Sequence, residues 1–155
     1  MGPGHVALAL ALAVAAADVV VPTAAPARAD GVPWTVVASG SRVGSAEADA
    51  ASLLRTRAAV RAFSSLLRLE EARRVAAVDL TRSALFAVVA PFPSCGWSVR
   101  VRALERSGTQ LRVLFAAQPP AKGTLVCEAL TRAYVVLRVL RSQVAGVVRA
   151  VPIRA

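Results

Sequence analysis

Cys95, Cys127, His5 and the adjacent pair Glu70-Glu71 are the residues of this chain whose types lend themselves to chemistry. A cysteine nucleophile needs a base, and the only histidine lies at position 5, ahead of an apolar stretch that reads as a leader. Beyond that leader no Ser-His-Asp or Cys-His arrangement and no histidine-containing metal site can be assembled. Two carboxylates must meet in space for glycoside chemistry, and no spacing here argues that they do. The sequence therefore points to a non-enzyme, with no catalytic residue, metal ligand or cofactor. Two cysteines in an exported chain read as a disulfide between Cys95 and Cys127. The alternative is two separate small buried side chains or free thiols.

Residues 1–29 carry the marks of a secretory signal peptide. Val6–Val14 is uncharged and apolar, too short to cross a bilayer as a helix, and Asp18 interrupts its continuation. Ala27-Arg28-Ala29 is an A-x-A-like cleavage site and Ala15-Ala16-Ala17 is a second. The expected location is secreted or cell-envelope, with no stable membrane insertion after cleavage. Lys and Arg total 19 against 9 acids, for a net charge of +10, and nearly all of the basic residues are arginine. That balance suits an acidic partner or anionic surface, or simply a well-solvated exterior. Nucleic acid is not expected as a partner, because no dense basic run is interleaved with aromatics and the chain is read as exported.

The elements that must hold the cysteines are mostly strands. Trp34–Ala38 reads as a short strand closed by Ser39-Gly40-Ser41, and residues 40–51 as an exposed connection. Thr56 is a suitable N-cap for a helix from Arg57 to about Arg68, with Val60, Phe63, Leu66 and Leu67 on one stripe. Glu70–Arg74 continues or ends it. Val75–Leu80 and Leu85–Val89 then read as strands, the second apolar on both faces as in a covered central strand. Thr124–Ala129, Tyr134–Arg141 and Val144–Val151 are further extended candidates. The expected fold is mainly β (α+β), a small antiparallel sandwich or barrel-like domain with one N-terminal helix packed on it. Residues 30–52 supply a short strand and connection, and 53–155 the helix and sheet, forming one domain with 34–52.

The stretch Phe92–Ala103 joins the chemistry to the fold. Trp97, Val99, Val101 and Ala103 alternate with Ser98, Arg100 and Arg102, the period of a half-buried strand. Leu111, Val113 and Phe115 show the same parity, which calls for an odd-length hairpin loop. A three-residue loop Arg106-Ser107-Gly108, with Gly108 left-handed, satisfies it and opposes Arg102 to Arg112. The turn residues Pro93, Ser94, Gly96 and Trp97, with the outward Arg100, Arg102 and Arg112, are the candidate partner-binding residues.

A set of segments resembles a known family. In order they are Val78-Asp79-Leu80, the strand Leu85–Ala90, Pro93–Val99, the Gly108 hairpin, Pro119-Pro120 with Gly123, and Glu128–Tyr134. Together, over roughly residues 34–142, they are similar to the C-terminal domain of the protease complex subunit PrcB family. Cys95 stands where that family has the first glycine of its P-T-G-G-Y-S turn, Trp97 for its tyrosine, Glu128 for its glutamine and Ala133 for its proline. The resemblance implies an exported, non-enzymatic accessory domain that associates with and stabilises an extracellular protease. Pro93–Trp97 is also similar to the N-P-T-T-G-Y loop of chagasin-type cysteine-protease inhibitors, with Phe92 in place of the asparagine. A third reading is a structural envelope protein whose arginines meet anionic polymers.

Overall fold

The computed structural model of the chain describes residues 31–44 and 47–155; the signal-peptide expectation lies outside them. Strands β3 (Ser83–Phe92) and β6 (Thr131–Leu140) are its centre. They pair antiparallel from Ser83↔Leu140 to Phe92↔Thr131, and both are buried on two faces. Ala84, Phe86, Val88 and Ala90 of β3 and Ala133, Val135, Leu137 and Val139 of β6 face one way, into the main core. Leu85, Ala87, Tyr134 and Val136 face the other way. The near-continuous apolar run predicted for β3 thus has its cause in cover on both sides.

β1 (Trp34–Val43) and β2 (Ala50–Leu54) complete a four-stranded antiparallel sheet in the order β1-β6-β3-β2. The second sheet, in the order β4-β5-β7, holds β4 (Ser98–Ser107), β5 (Gln110–Gln118) and β7 (Arg149–Arg154). The main core lies between the sheets, with Val99, Val101, Leu104, Leu111, Val113 and Phe115 coming from the second. This is an α+β sandwich of two separate sheets, not a closed barrel. It is not wholly antiparallel either, because β7 runs parallel to β5, from Gln110↔Arg149 to Phe115↔Arg154.

Two helices, rather than one, cover the outer face of the first sheet. Thr56 caps α1 (Arg57–Ser64) as expected, its Oγ1 accepting from the Ala59 N–H at 3.1 Å. The helix stops at Ser64 instead of Arg68. The Ser65 hydroxyl donates to the Ala62 carbonyl at 2.7 Å, a local bond that competes with helix continuation, and the chain then turns Leu67 into the core. α2 (Leu69–Ala76) restarts with Glu71 accepting from the Arg68 N–H at 3.1 Å. Glu71 and Val75, four residues apart, share its buried face. Val75–Leu80 is therefore not a strand: a short apolar run cannot distinguish strand from buried helix by periodicity alone.

Other boundaries moved for reasons of pairing. β1 runs through Ser39-Gly40-Ser41 to Val43 because β6 offers partners along its whole length, so the connection shrinks to the residues between Val43 and Ala50. β3 runs through Pro91 to Phe92; β2 pairing stops at Val89, so the proline sits where β3 has only β6 beside it. Residues 119–130 contain no strand, against the expected extended piece Thr124–Ala129. The final strand begins at Arg149, after a short 3-10 turn (Arg141–Val144) that buries Val144 and a bend that buries Val147.

The β4–β5 register also differs. Val101 pairs with Phe115, Leu104 with Val113 and Ser107 with Gln110, leaving a two-residue loop, Gly108-Thr109. Gly108 has φ +58 and Thr109 has no positive φ, the signs of a type II′ turn. The parity is reconciled by a bulge at Arg102, not by the loop length. Arg112 is consequently opposite Glu105 rather than Arg102, replacing an expected like-charge pair by an opposite-charge one. A second bulge, at Val37, lies in β1. Both bulges are in edge strands, where they hinder pairing with another chain.

Candidate functional site

The turn after β3 is held from several sides. Phe92, the last residue of β3, is buried, and Trp97 stacks on it with ring centroids 5.0 Å apart and planes 6° from parallel. The Trp97 Nε1–H donates to Ser94 Oγ at 3.2 Å, and the hydroxyl of Thr131, 2% exposed, donates to the Ser94 carbonyl at 2.7 Å. Cys95 and Cys127 stand at disulfide distance, with Cα atoms 5.3 Å apart, and the Cys95 N–H donates to the Cys127 carbonyl at 3.2 Å. Gly96 has φ +87, and a Cβ there would lie 2.9 Å from the Pro120 Cβ. The turn and the strand-free segment 119–130 are thus one stapled end of the sandwich.

Of the expected partner-binding residues, Pro93 and Gly96 are exposed, and Ser94 and Trp97 are half-buried with their polar atoms engaged. Arg100, Arg102 and Arg112 are exposed along β4 and β5. They do not form the opposed pair expected, since Arg102 occupies the bulge and Arg112 opposes Glu105.

The stapled end gathers residues that the sequence reading passed over. Val43 is 69% exposed, Leu69 66%, Leu130 61% and Leu125 99%, with Val126 also at the surface; Leu66, expected on the helix's packing stripe, is exposed too, because α1 ends at Ser64 before reaching it. The Gly44 N–H donates to the Leu130 carbonyl at 2.9 Å, which ties the end of β1 to the stapled segment. A cleft of about 580 Å³ opens here, with Arg42, Val43, Arg68, Leu69, Cys95 and Thr131 in its wall. A smaller depression beside it shares Arg42 and adds Arg132. By sequence Arg42 falls in the connection 40–51; its pairing with β6 shows which way it faces. A usable signal was present in Val43 and Leu69, large aliphatics that fit no apolar period.

Beneath this surface is a buried polar contact. The Tyr134 hydroxyl donates to Glu71 Oε2, the same oxygen that accepts from the Arg68 N–H. Gly40 makes room for it, since a Cβ there would stand 2.8 Å from the Tyr134 oxygen and 3.0 Å from Glu71 Oε1. Desolvation, then the hydrogen bond and the charge of Glu71, push the Tyr134 pKa from 10.0 up to about 12. The folded state thus holds this proton more tightly than the unfolded chain. Its contribution to stability is complete below pH 10 and is lost as pH rises through about 12. Tyr134 is the chain's only tyrosine, so ultraviolet absorbance reads it directly. Ionisation is expected near pH 12 in the native protein and near 10 in denaturant; a native midpoint at 10 would mean that the Glu71 contact does not form.

Among the described residues, no three or more His, Cys, Asp and Glu side chains converge as a metal site, and no helix is long and apolar enough to cross a membrane. A scan against protein-family models, a search of curated proteins and a search of solved structures found no match to this chain.

Proposed function

We propose that this chain is an exported, non-enzymatic binding domain that docks on another extracellular protein through its stapled end. The observation that carries this reading is the concentration of exposed aliphatic side chains there. Val43 and Leu69 share the cleft wall with Cys95, and Leu125, Val126 and Leu130 lie on the segment that carries Cys127; large apolar side chains exposed together mark interaction surfaces. The staple serves such a role by ordering a segment that has no strand pairing, so that less entropy is lost on docking. Bridged cysteines persist in oxidising compartments, in keeping with export. The resemblance to PrcB makes a protease the partner class to test first, with the domain stabilising it.

The test is capture from the secreted fraction with immobilised full chain, comparing wild type with Leu125→Asp and Leu130→Asp. Both side chains are exposed, so the substitutions should leave folding intact. Capture of a protease by wild type and its loss in both variants is the expected result. Equal capture by wild type and variants, or no protein captured, would refute the reading.

A further inference from the structure

Arg42 and Arg132 are directly opposed in the β1–β6 register. By strand alternation they lie on the helix-facing side, two positions along the ladder from Gly40 and Tyr134, with Ser41 and Ala133 between. Like charges directly opposed on a sheet are unfavourable, and no ion pair among the described residues relieves them. The salt bridges among the described residues are Arg73–Glu70 and Arg154–Asp49. Arg42 uses one donor on the Ser65 carbonyl, at 3.2 Å. The Arg132 guanidinium lies along Gly44, where a Cβ would come within 2.8 Å of it. Arg68, at the start of α2, lines the cleft beside Arg42, and Arg132 lines the adjoining depression that shares Arg42. The carboxylate of Glu71 is buried against Tyr134 and the Arg68 N–H.

We infer that Arg42 and Arg132, with Arg68, form a carboxylate-binding subsite for an acidic segment of the partner protein. The inference rests on the docking reading above and names the chemistry that the docked segment must carry. Each guanidinium offers planar, paired donors that match a carboxylate, and a bound carboxylate would turn the repulsion between the two strands into a bridge. The aliphatic Val43 and Leu69 flank the same cleft, so the favoured segment alternates acidic and aliphatic residues.

Fluorescence anisotropy with the full chain and a labelled peptide of alternating Glu and Leu tests this, with a Gln-for-Glu peptide and phosphatidylserine-containing vesicles as comparisons. Affinity for the Glu peptide should fall about tenfold in Arg42→Gln and again in Arg132→Gln. It should fall with added salt and be unchanged in Arg100→Gln. The melting temperature of Arg132→Gln should be equal to wild type or higher, because a repulsion is removed. Equal binding of the Gln peptide, full binding by the arginine variants, or binding to anionic vesicles in place of the peptide would overturn the subsite. A captured protein that still binds the Arg42→Gln/Arg132→Gln double variant but not Leu125→Asp would overturn the subsite and leave the docking reading standing. A chain that binds the Glu peptide but captures no protein would do the reverse.

Discussion

Replacing Cys95 and Cys127 together by serine is expected to lower the free energy of unfolding by about 4 kcal/mol. The two residues are separated by 32 positions, and the chain-entropy relation assigns a closed loop of that size a little under 4 kcal/mol at 25 °C. The loop encloses the whole β4–β5 hairpin and the segment 119–130 as far as Cys127. The hairpin is held independently by its ladder and by Val99, Val101, Leu111, Val113 and Phe115 in the main core. The segment 119–130 has no ladder, so its order rests on the staple, the bond from Gly44 to Leu130 and the packing of Gly96 on Pro120. Loss of the bridge should therefore free this segment first, seen as fast amide exchange at 121–128, while β3 and β6 stay protected. Urea unfolding of the wild type with and without reductant is the direct measurement, and the reduced wild type should match the double variant. Identical midpoints for bridged and reduced protein would remove the staple from the account of this end.

Gly40→Val should cost about 3–5 kcal/mol, although the position is an ordinary extended one in an edge strand. The backbone would accept valine there. The obstacle is the Tyr134 oxygen at 2.8 Å and Glu71 Oε1 at 3.0 Å from the new Cβ. Overpacking accounts for roughly 1–3 kcal/mol of the cost. The larger consequence is separation of Tyr134 from Glu71, which is 7% exposed and would be left as a buried carboxylate short of a partner. Gly108→Ala is the informative comparison. Its φ is +58 with nothing within 4 Å of a Cβ, so only the backbone term of about 1–2 kcal/mol applies. Denaturant midpoints rank the two, and a Gly40→Val loss no larger than that of Gly108→Ala would show that Tyr134 and Glu71 do not meet beneath Gly40.

Hydrophobic patterning carried much of the architecture. The two-sided apolar run of β3, the alternation in β4 and β5 and the Thr56 cap are local signals, each backed by local physics. The places where sequence reading failed share a cause. The Arg102 bulge, the passage of β1 through Ser39-Gly40-Ser41, the second helix at Leu69–Ala76 and the parallel β7 are all settled by partners distant in the chain. A bulge absorbs a parity mismatch as well as a loop does, and a sequence carries no preference between them when both strands alternate cleanly.

The same division runs through the candidate site. Composition alone determined that this chain has two cysteines to pair, a single histidine near its start and a large excess of arginine. Those counts need no fold. Which arginines matter is a tertiary result: Arg42 and Arg132 are 90 positions apart along the chain and become neighbours only because β1 and β6 pair side by side. The Tyr134–Glu71 contact is likewise made across the packing of α2 on the first sheet. Residue types set what chemistry is available; the strand order and the helix packed on it decided which charges stand together.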